Sequence, residues 1–332
     1  MRKGVNRSHL KFTERLRFVP GSTFSAPPVA YSGMWVPLIT PFKAGVVDYD
    51  AAGLFVRHLV RSGVHGLVVC GTTGEGSALS SREKARLLDT VASSVDDRIP
   101  VFLGLEGANT AKMIAEINEL GDRPVAGYLL PAPSYVRPSQ EGIYRHFMAV
   151  ADAVKRPVMI YDIPARTGVQ MSLELIKRLR ASGDFPAIKA CGLSTERLRS
   201  LAEIDGLDLM CGDDNWIGQA LQSGARGAVA ASAQVAPRLF VEAFAQAAAS
   251  GNEGGRQPFD ELAPLIKAMF DEPNPAPVKA ALALQGWIGE ALRLPMTPVS
   301  DALREDLHAI LRDLRLLDRE EPCVAAGRLK AG

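Results

Sequence analysis

Long apolar runs are missing from this chain: none approaches the roughly 18 residues that a bilayer-spanning helix requires. The first residues lack the short apolar core of a secretory signal. Cysteine is scarce, with Cys70, Cys191, Cys211 and Cys323 the only four in 332 residues. That excludes a disulfide framework and fits a reducing compartment, so the expected location is cytoplasmic. An excess of one charge is missing too. The 38 Lys+Arg against 37 Asp+Glu leave a net of +1, which gives no global argument for nucleic acid or a membrane as partner. Histidine is sparse, and His9, His58, His65, His146 and His308 follow no ligand spacing, so no metal is expected. Phosphate-cradling signatures are absent as well. "CGTTGEG" is not closed by Gly-Lys-Ser/Thr, and no G-x-G-x-x-G opens a helix.

What is present is ordinary globular material, 47% hydrophobic and 23% charged, enough for one large core. Residues 1–30 differ, carrying Arg2, Lys3, Arg7, Lys11, Arg15 and Arg17 against Glu14 alone. We read them as a disordered basic extension rather than a transit peptide. After it, short apolar segments alternate with longer amphipathic ones. Candidate strands lie at 34–40, 66–70, 100–104, 127–130, 157–162, 186–191, 208–212 and 227–232. They are apolar without alternation, the mark of strands covered on both faces. Helical patterns fill the gaps. Residues 80–95 have Ser80 or Ser81 placed to cap, and 172–182 are followed by the stop signal Gly183. Eight such units predict an α/β fold, a (β/α)8 TIM barrel over 31–237, in preference to a doubly wound sheet. Four further helices (about 238–250, 256–271, 276–293 and 301–316) are expected as a C-terminal helical appendage within 238–332.

A barrel builds its active site where strands end at the C-terminal face. The predicted strands bring Thr72 and Thr73, Tyr135 and Arg137, Tyr161, Asp162 and Arg166, Lys189, and Gly212 with Asp213 and Asp214 to that face. A lysine inside an apolar strand has its ammonium poorly solvated, so its pKa falls and the free amine can attack a carbonyl. On position alone, Lys189 reads equally well as a strand-end lysine that snorkels to solvent. Lys84, Lys112, Lys155, Lys177, Lys267 and Lys279 lie in helical or polar contexts and are expected on the solvated surface. Tyr161 on the neighbouring strand can shuttle protons with a threonine hydroxyl, or be a buried aromatic with a satisfied hydroxyl. Arg166 offers a planar fork for a carboxylate, or a surface ion pair. Cys70, Cys191 and Cys211 read as small core residues. Together, an amine nucleophile, a proton relay and a carboxylate clamp specify a class I aldolase handling a 2-oxo acid.

The motifs "GTTGE", "YVRPSQEG", "YDIPARTG", "IKACG", "GDD", "EPNPAPVK" and "LRLPMTPVSD", over roughly residues 33–316, resemble the dihydrodipicolinate synthase/N-acetylneuraminate lyase family of pyruvate-dependent aldolases. The resemblance implies a Schiff base between Lys189 and pyruvate, needing no cofactor. It implies a relay of Tyr161, Thr72 and Tyr135, the last reaching in from a neighbouring subunit of a homotetramer. Thr73 would hold the pyruvate carboxylate, with Val229 and Gly212 lining the substrate pocket. Arg166 matches the arginine by which the family's synthases bind the carboxylate of aspartate semialdehyde, so that aldehyde is the expected second substrate. The alternatives are a sibling aldolase, dehydratase or lyase acting on a keto-deoxy sugar acid or 4-hydroxy-2-oxoglutarate, and a non-catalytic keto-acid-binding barrel. The sequence departs from the family's synthases at Ala190 (usually acidic), Asp162 (commonly Asn) and Ser134 (often aromatic). The positions that bind feedback lysine correspond to Ser134, Lys84, Ala108 and Lys112. Two cations with no matching acid predict no inhibition by lysine.

Overall fold

The computed structural model describes residues 29–250 and 257–317. The expectations for residues 1–28 and for Cys323 fall outside the described residues. Among the described residues ten strands follow in chain order: β1 (Gly33–Pro37), β2 (Phe42–Lys43), β3 (Val46–Val47), β4 (Gly66–Val69), β5 (Val101–Gly104), β6 (Gly127–Pro131), β7 (Val158–Asp162), β8 (Ala187–Ala190), β9 (Asp208–Cys211) and β10 (Gly227–Val229). β2 and β3 form a small antiparallel pair. The other eight are parallel and close into a barrel, with β10 returning to β1. Helices surround them, and the architecture is the (β/α)8 barrel.

The lack of alternation in the strands has its cause in this closure. Alternate residues face either the barrel interior or the helical layer, and both sides are apolar. Trp35, Val68, Phe102, Leu129, Met159, Ala187, Met210 and Val229 form the inner cluster. Phe102 meets the Trp35 ring edge-on at 5.1 Å between centroids. Met34, Val36, Leu67, Ile160, Ile188 and Leu209 belong to the larger cluster shared with the helices.

Helix starts follow local rules. Ser80 caps the helix Ser81–Val95 with a complete capping box to Glu83. The helix Leu173–Ala181 ends just before Gly183, whose φ of +95° suits glycine. The helix expected over 276–293 spans only Ala276–Leu284. Gly286 at φ +73° turns the chain there, and the apolar periodicity beyond it belongs to an irregular segment. The expected 256–271 helix is described from residue 257, as a 3-10 stretch Gln257–Leu262 followed by an α-helix Ala263–Ala268. Pro264 stands in the first turn of that α-helix, where its missing N–H costs little. The helix Pro237–Ala249 packs against β1, so the layer around the barrel continues past residue 237.

One buried titratable group lies away from the barrel mouth. His146 is packed between helices, with Nδ1 2.8 Å from the Thr110 hydroxyl and Nε2 without a partner. Burial pushes its pKa down to about 4 from 6.5. A depressed folded-state pKa means that the neutral ring is favoured by folding. Its contribution is complete above pH 6.5 and is lost as pH falls towards 4, to a limit of roughly 3 kcal/mol. His146→Asn should therefore show a flatter loss of denaturant midpoint between pH 6.5 and 4 than the parent. Parallel curves for the two proteins would contradict the assignment.

Candidate active site

The segment "CGTTGEG" follows β4 and needs glycine for space. A Cβ at Gly76 would stand 1.9 Å from the Cys70 carbonyl oxygen, and one at Gly74 would stand 2.8 Å from Leu38 O. The turn is bracketed by two non-glycine residues in left-handed conformation, Cys70 at φ +57° and Glu75 at φ +51°. Such strain persists only where surrounding contacts over-determine it. Here they are buried charges. The Glu75 carboxylate pairs with Lys279 and accepts the Arg293 backbone N–H at 3.0 Å. Lys279 is 0% exposed, donates to Ala291 O at 3.0 Å and lies 4.2 Å from the centre of the Phe42 ring. Its expected place on the solvated surface is thus wrong, because tertiary folding seats it beneath the Thr72–Thr73 turn. Lys84 is also buried rather than solvated, 2.5 Å from Glu116. The expected repulsion of a lysine ligand loses part of its basis, since an acid does stand beside Lys84. Lys112, Lys155, Lys177 and Lys267 are exposed as expected.

Above the inner cluster lies a cavity of about 210 Å³. Thr72, Thr73, Tyr161, Arg166, Lys189, Gly212 and Val229 all line it, as the sequence led us to expect. Tyr161 and Lys189 are direct partners across β7 and β8, and Lys189 Nζ lies 4.5 Å from the centre of the tyrosine ring. Lys189 is 6% exposed. Burial pushes its pKa below the ordinary lysine range, against the opposing pull of Cys191, Asp214, Asp213 and Cys211. Asp213 is held by the Gly192 N–H at 2.6 Å, and Asp214 by the Ser232 N–H at 2.6 Å. An amine so buried can attack a carbonyl, and Asp213 and Asp214 lie near enough to favour a positive charge on it.

Gly212 has a steric role. A Cβ there would meet Cys191 Sγ at 2.4 Å, Lys189 Cε at 3.0 Å and the Ala190 carbonyl oxygen at 3.0 Å. The Cys191 thiol would have to move aside, and the Lys189 stem and the Ala190 carbonyl would both be crowded. Gly212→Ala should reduce kcat/KM by about tenfold or more, equivalent to 1.4 kcal/mol, with an unchanged circular dichroism spectrum. Full activity in that variant would contradict the packing.

Several placements were not readable from the sequence. Cys191, expected as plain core, lines the cavity and interacts with the Tyr161 hydroxyl, whose pKa is raised by burial first and by this thiol next. Among the described residues no hydrogen bond joins Tyr161 to Thr72. Asn274 and Phe270, from the C-terminal helical region, line the cavity. Asn274 Nδ2 donates to Thr73 Oγ1 at 3.0 Å, while its Oδ1 is buried without a partner. The only signal for it was the motif "EPNPAPVK". Tyr135 does not line this cavity and is 94% exposed, at φ +70°. Ala190 faces the helical layer, so its departure from the family pattern does not touch the cavity. Asp162 is answered by Arg197, at 2.9 Å. No group of three or more metal-ligating side chains occurs among the described residues, and no described helix is long and apolar enough to cross a membrane.

Comparison with known proteins shows the family of the chain. The profile of the dihydrodipicolinate synthetase family matches residues 30–314. A 4-hydroxy-tetrahydrodipicolinate synthase from Geotalea daltonii is 36% identical over 293 residues, covering 86% of this chain and 100% of that protein. The solved 4-hydroxy-tetrahydrodipicolinate synthase of Methylacidiphilum fumariolicum SolV superposes with a TM-score of 0.82 at 33% identity, over 86% of this chain and 96% of that one. A structure described as a monomeric dihydrodipicolinate synthase variant gives a TM-score of 0.84 at 31% identity, over 86% of this chain and 98% of that one. The chain belongs to the dihydrodipicolinate synthetase family.

Proposed function

We propose that this chain is a Schiff-base-forming lyase that condenses pyruvate with L-aspartate semialdehyde, the 4-hydroxy-tetrahydrodipicolinate synthase reaction of diaminopimelate and lysine biosynthesis. The observation that carries the reading is the buried Lys189 amine aligned with Tyr161 in a cavity that Arg166 also lines. The cavity volume, below the roughly 300–1,000 Å³ of pockets for larger ligands, supports two short acids over a long sugar acid.

In this reading the neutral Lys189 amine attacks the pyruvate ketone. The carbinolamine loses water to give an imine, and loss of a methyl proton gives the enamine. The enamine carbon attacks the aldehyde, the acceptor's own amine then displaces Lys189 as the ring closes, and the lysine is freed. Tyr161 and Thr72 move the protons, with Tyr135 of a neighbouring subunit completing the relay. The high exposure of Tyr135 supports a place in another subunit's mouth, within a homotetramer. Thr73, oriented by Asn274, holds the pyruvate carboxylate, and Val229 packs against its methyl side. Arg166 takes the acceptor's carboxylate. Residues 31–237 then supply the chemistry, and the region from 238 closes the mouth through Phe270 and Asn274. Substrate carbon is carried on Lys189 itself, so no cofactor is needed. The composition supports a cytoplasmic setting.

A coupled assay with both substrates, read through a reductase consuming NADPH, tests the reaction. Turnover lost in Arg166→Ala through a raised KM for the aldehyde is the expected result. A borohydride-stable pyruvate adduct without turnover would exclude this acceptor.

A further inference from the structure

The loop that carries Arg166 leaves β7 at Asp162 and returns at Met171, and its two ends are fastened to each other. Asp162 Oδ1 accepts the Met171 N–H at 3.2 Å. Arg197 Nη2 donates to Asp162 Oδ2 at 2.9 Å and to the Met171 carbonyl oxygen at 2.6 Å. Both backbone polar groups of Met171 are thus taken by one ion pair, whose carboxylate is 2% exposed. Between these ends the loop is stiff. The short helix Pro164–Thr167 closes with Gly168 N–H on Pro164 O at 2.8 Å. The Thr167 hydroxyl bonds Ile163 O at 3.1 Å and Val169 O at 2.9 Å. Ile163, Ala165 and Arg166 from this loop line the cavity. A rigid loop pinned at its base takes its position from the pin.

We propose that the Asp162–Arg197 pair is the positioning device of the acceptor clamp, setting where Arg166 stands relative to Lys189. This rests on the reaction proposed above. Asp162 and Arg197 touch no substrate in this account and act through Arg166 alone. The charge on residue 162 matters because its second oxygen faces a guanidinium. An amide there keeps the bond to Met171 but loses the ionic partner or presents a donor to a donor. Removing Arg197 instead leaves a buried carboxylate without its cation and frees the Met171 carbonyl.

The experiment compares wild type, Asp162→Asn, Arg197→Met, Arg166→Lys and the Asp162→Asn/Arg166→Lys double variant by steady-state kinetics, with pyruvate–borohydride trapping alongside. The KM for aspartate semialdehyde should rise about tenfold in Asp162→Asn and Arg197→Met, that for pyruvate should stay within about twofold, and the trapped adduct should form normally. The double variant should be no worse than Arg166→Lys alone, because a residue acting only through Arg166 has nothing further to lose. Asp162→Asn is nearly isosteric and keeps the test readable if Arg197→Met does not fold. Both KM values rising together, neither changing, or effects that multiply in the double variant would overturn the clamp. A wild type that forms the adduct but turns over no aspartate semialdehyde would instead sink the reaction on which it rests.

Discussion

Lys189→Met is expected to abolish turnover and, at the same time, to stabilise the fold. Loss of the nucleophile should reduce the rate by at least four orders of magnitude, about 5.5 kcal/mol of barrier, and no pyruvate adduct should be trapped by borohydride. The stability effect has the opposite sign. Burial holds the Lys189 pKa below that of an unfolded lysine, so the folded state binds the proton less readily than the unfolded one. At every pH below the unfolded value, folding must either release that proton or bury the ammonium, and stability is reduced. Methionine fills similar space without the charge. Asp214, whose carboxylate benefits from the neighbouring ammonium, takes back part of the gain. A rise in Tm of roughly 2 °C is the expected net result. A fall in Tm would show that the lysine contributes to stability through its contacts, and would remove the argument for a strained, neutral amine.

The second large effect is expected far from the reacting atoms. Lys279→Met leaves Glu75, held in its left-handed conformation, with a buried carboxylate that keeps the Arg293 N–H and the field of the Arg293 guanidinium but loses its paired cation. Breaking one side of a buried ion pair costs about 3–5 kcal/mol, or roughly 4–7 °C in Tm for a chain of this size. The Thr72–Thr73 turn shares that segment, so the KM for pyruvate should rise as well. The double variant Glu75→Gln/Lys279→Met should recover part of the stability, since it removes the orphaned charge. Thermal melts of the three proteins decide the matter. A single variant that melts within 1 °C of the parent would mean that the pair does not support the turn.

These two lysines show how far the sequence could be read. Lys189 drew notice because it interrupts an apolar strand, although its position alone fitted a lysine snorkelling to solvent equally well. Lys279 sits in the small helix "APVKAALAL", and nothing in its neighbours distinguishes a buried cation from a solvated one. Its partner is 204 residues away. The same holds for Lys84 with Glu116 and for Asp162 with Arg197, each pair invisible until helices pack. Thr73 and Asn274, 201 residues apart, are likewise joined only by the folded chain.

The sequence by itself determined the eight barrel strands, their parallel arrangement and the place of Lys189 inside one of them, because apolar runs, turn glycines and an isolated lysine carry local energetic consequences. It also determined that Tyr161 and Lys189 end adjacent strands. Only the tertiary structure decided which charges are buried and how Cys191 came to line the cavity. It also decided that the C-terminal region supplies Asn274 and Phe270. The physical reason is that desolvation of a charge or a thiol depends on everything packed around it, and in a barrel most of that packing comes from distant parts of the chain.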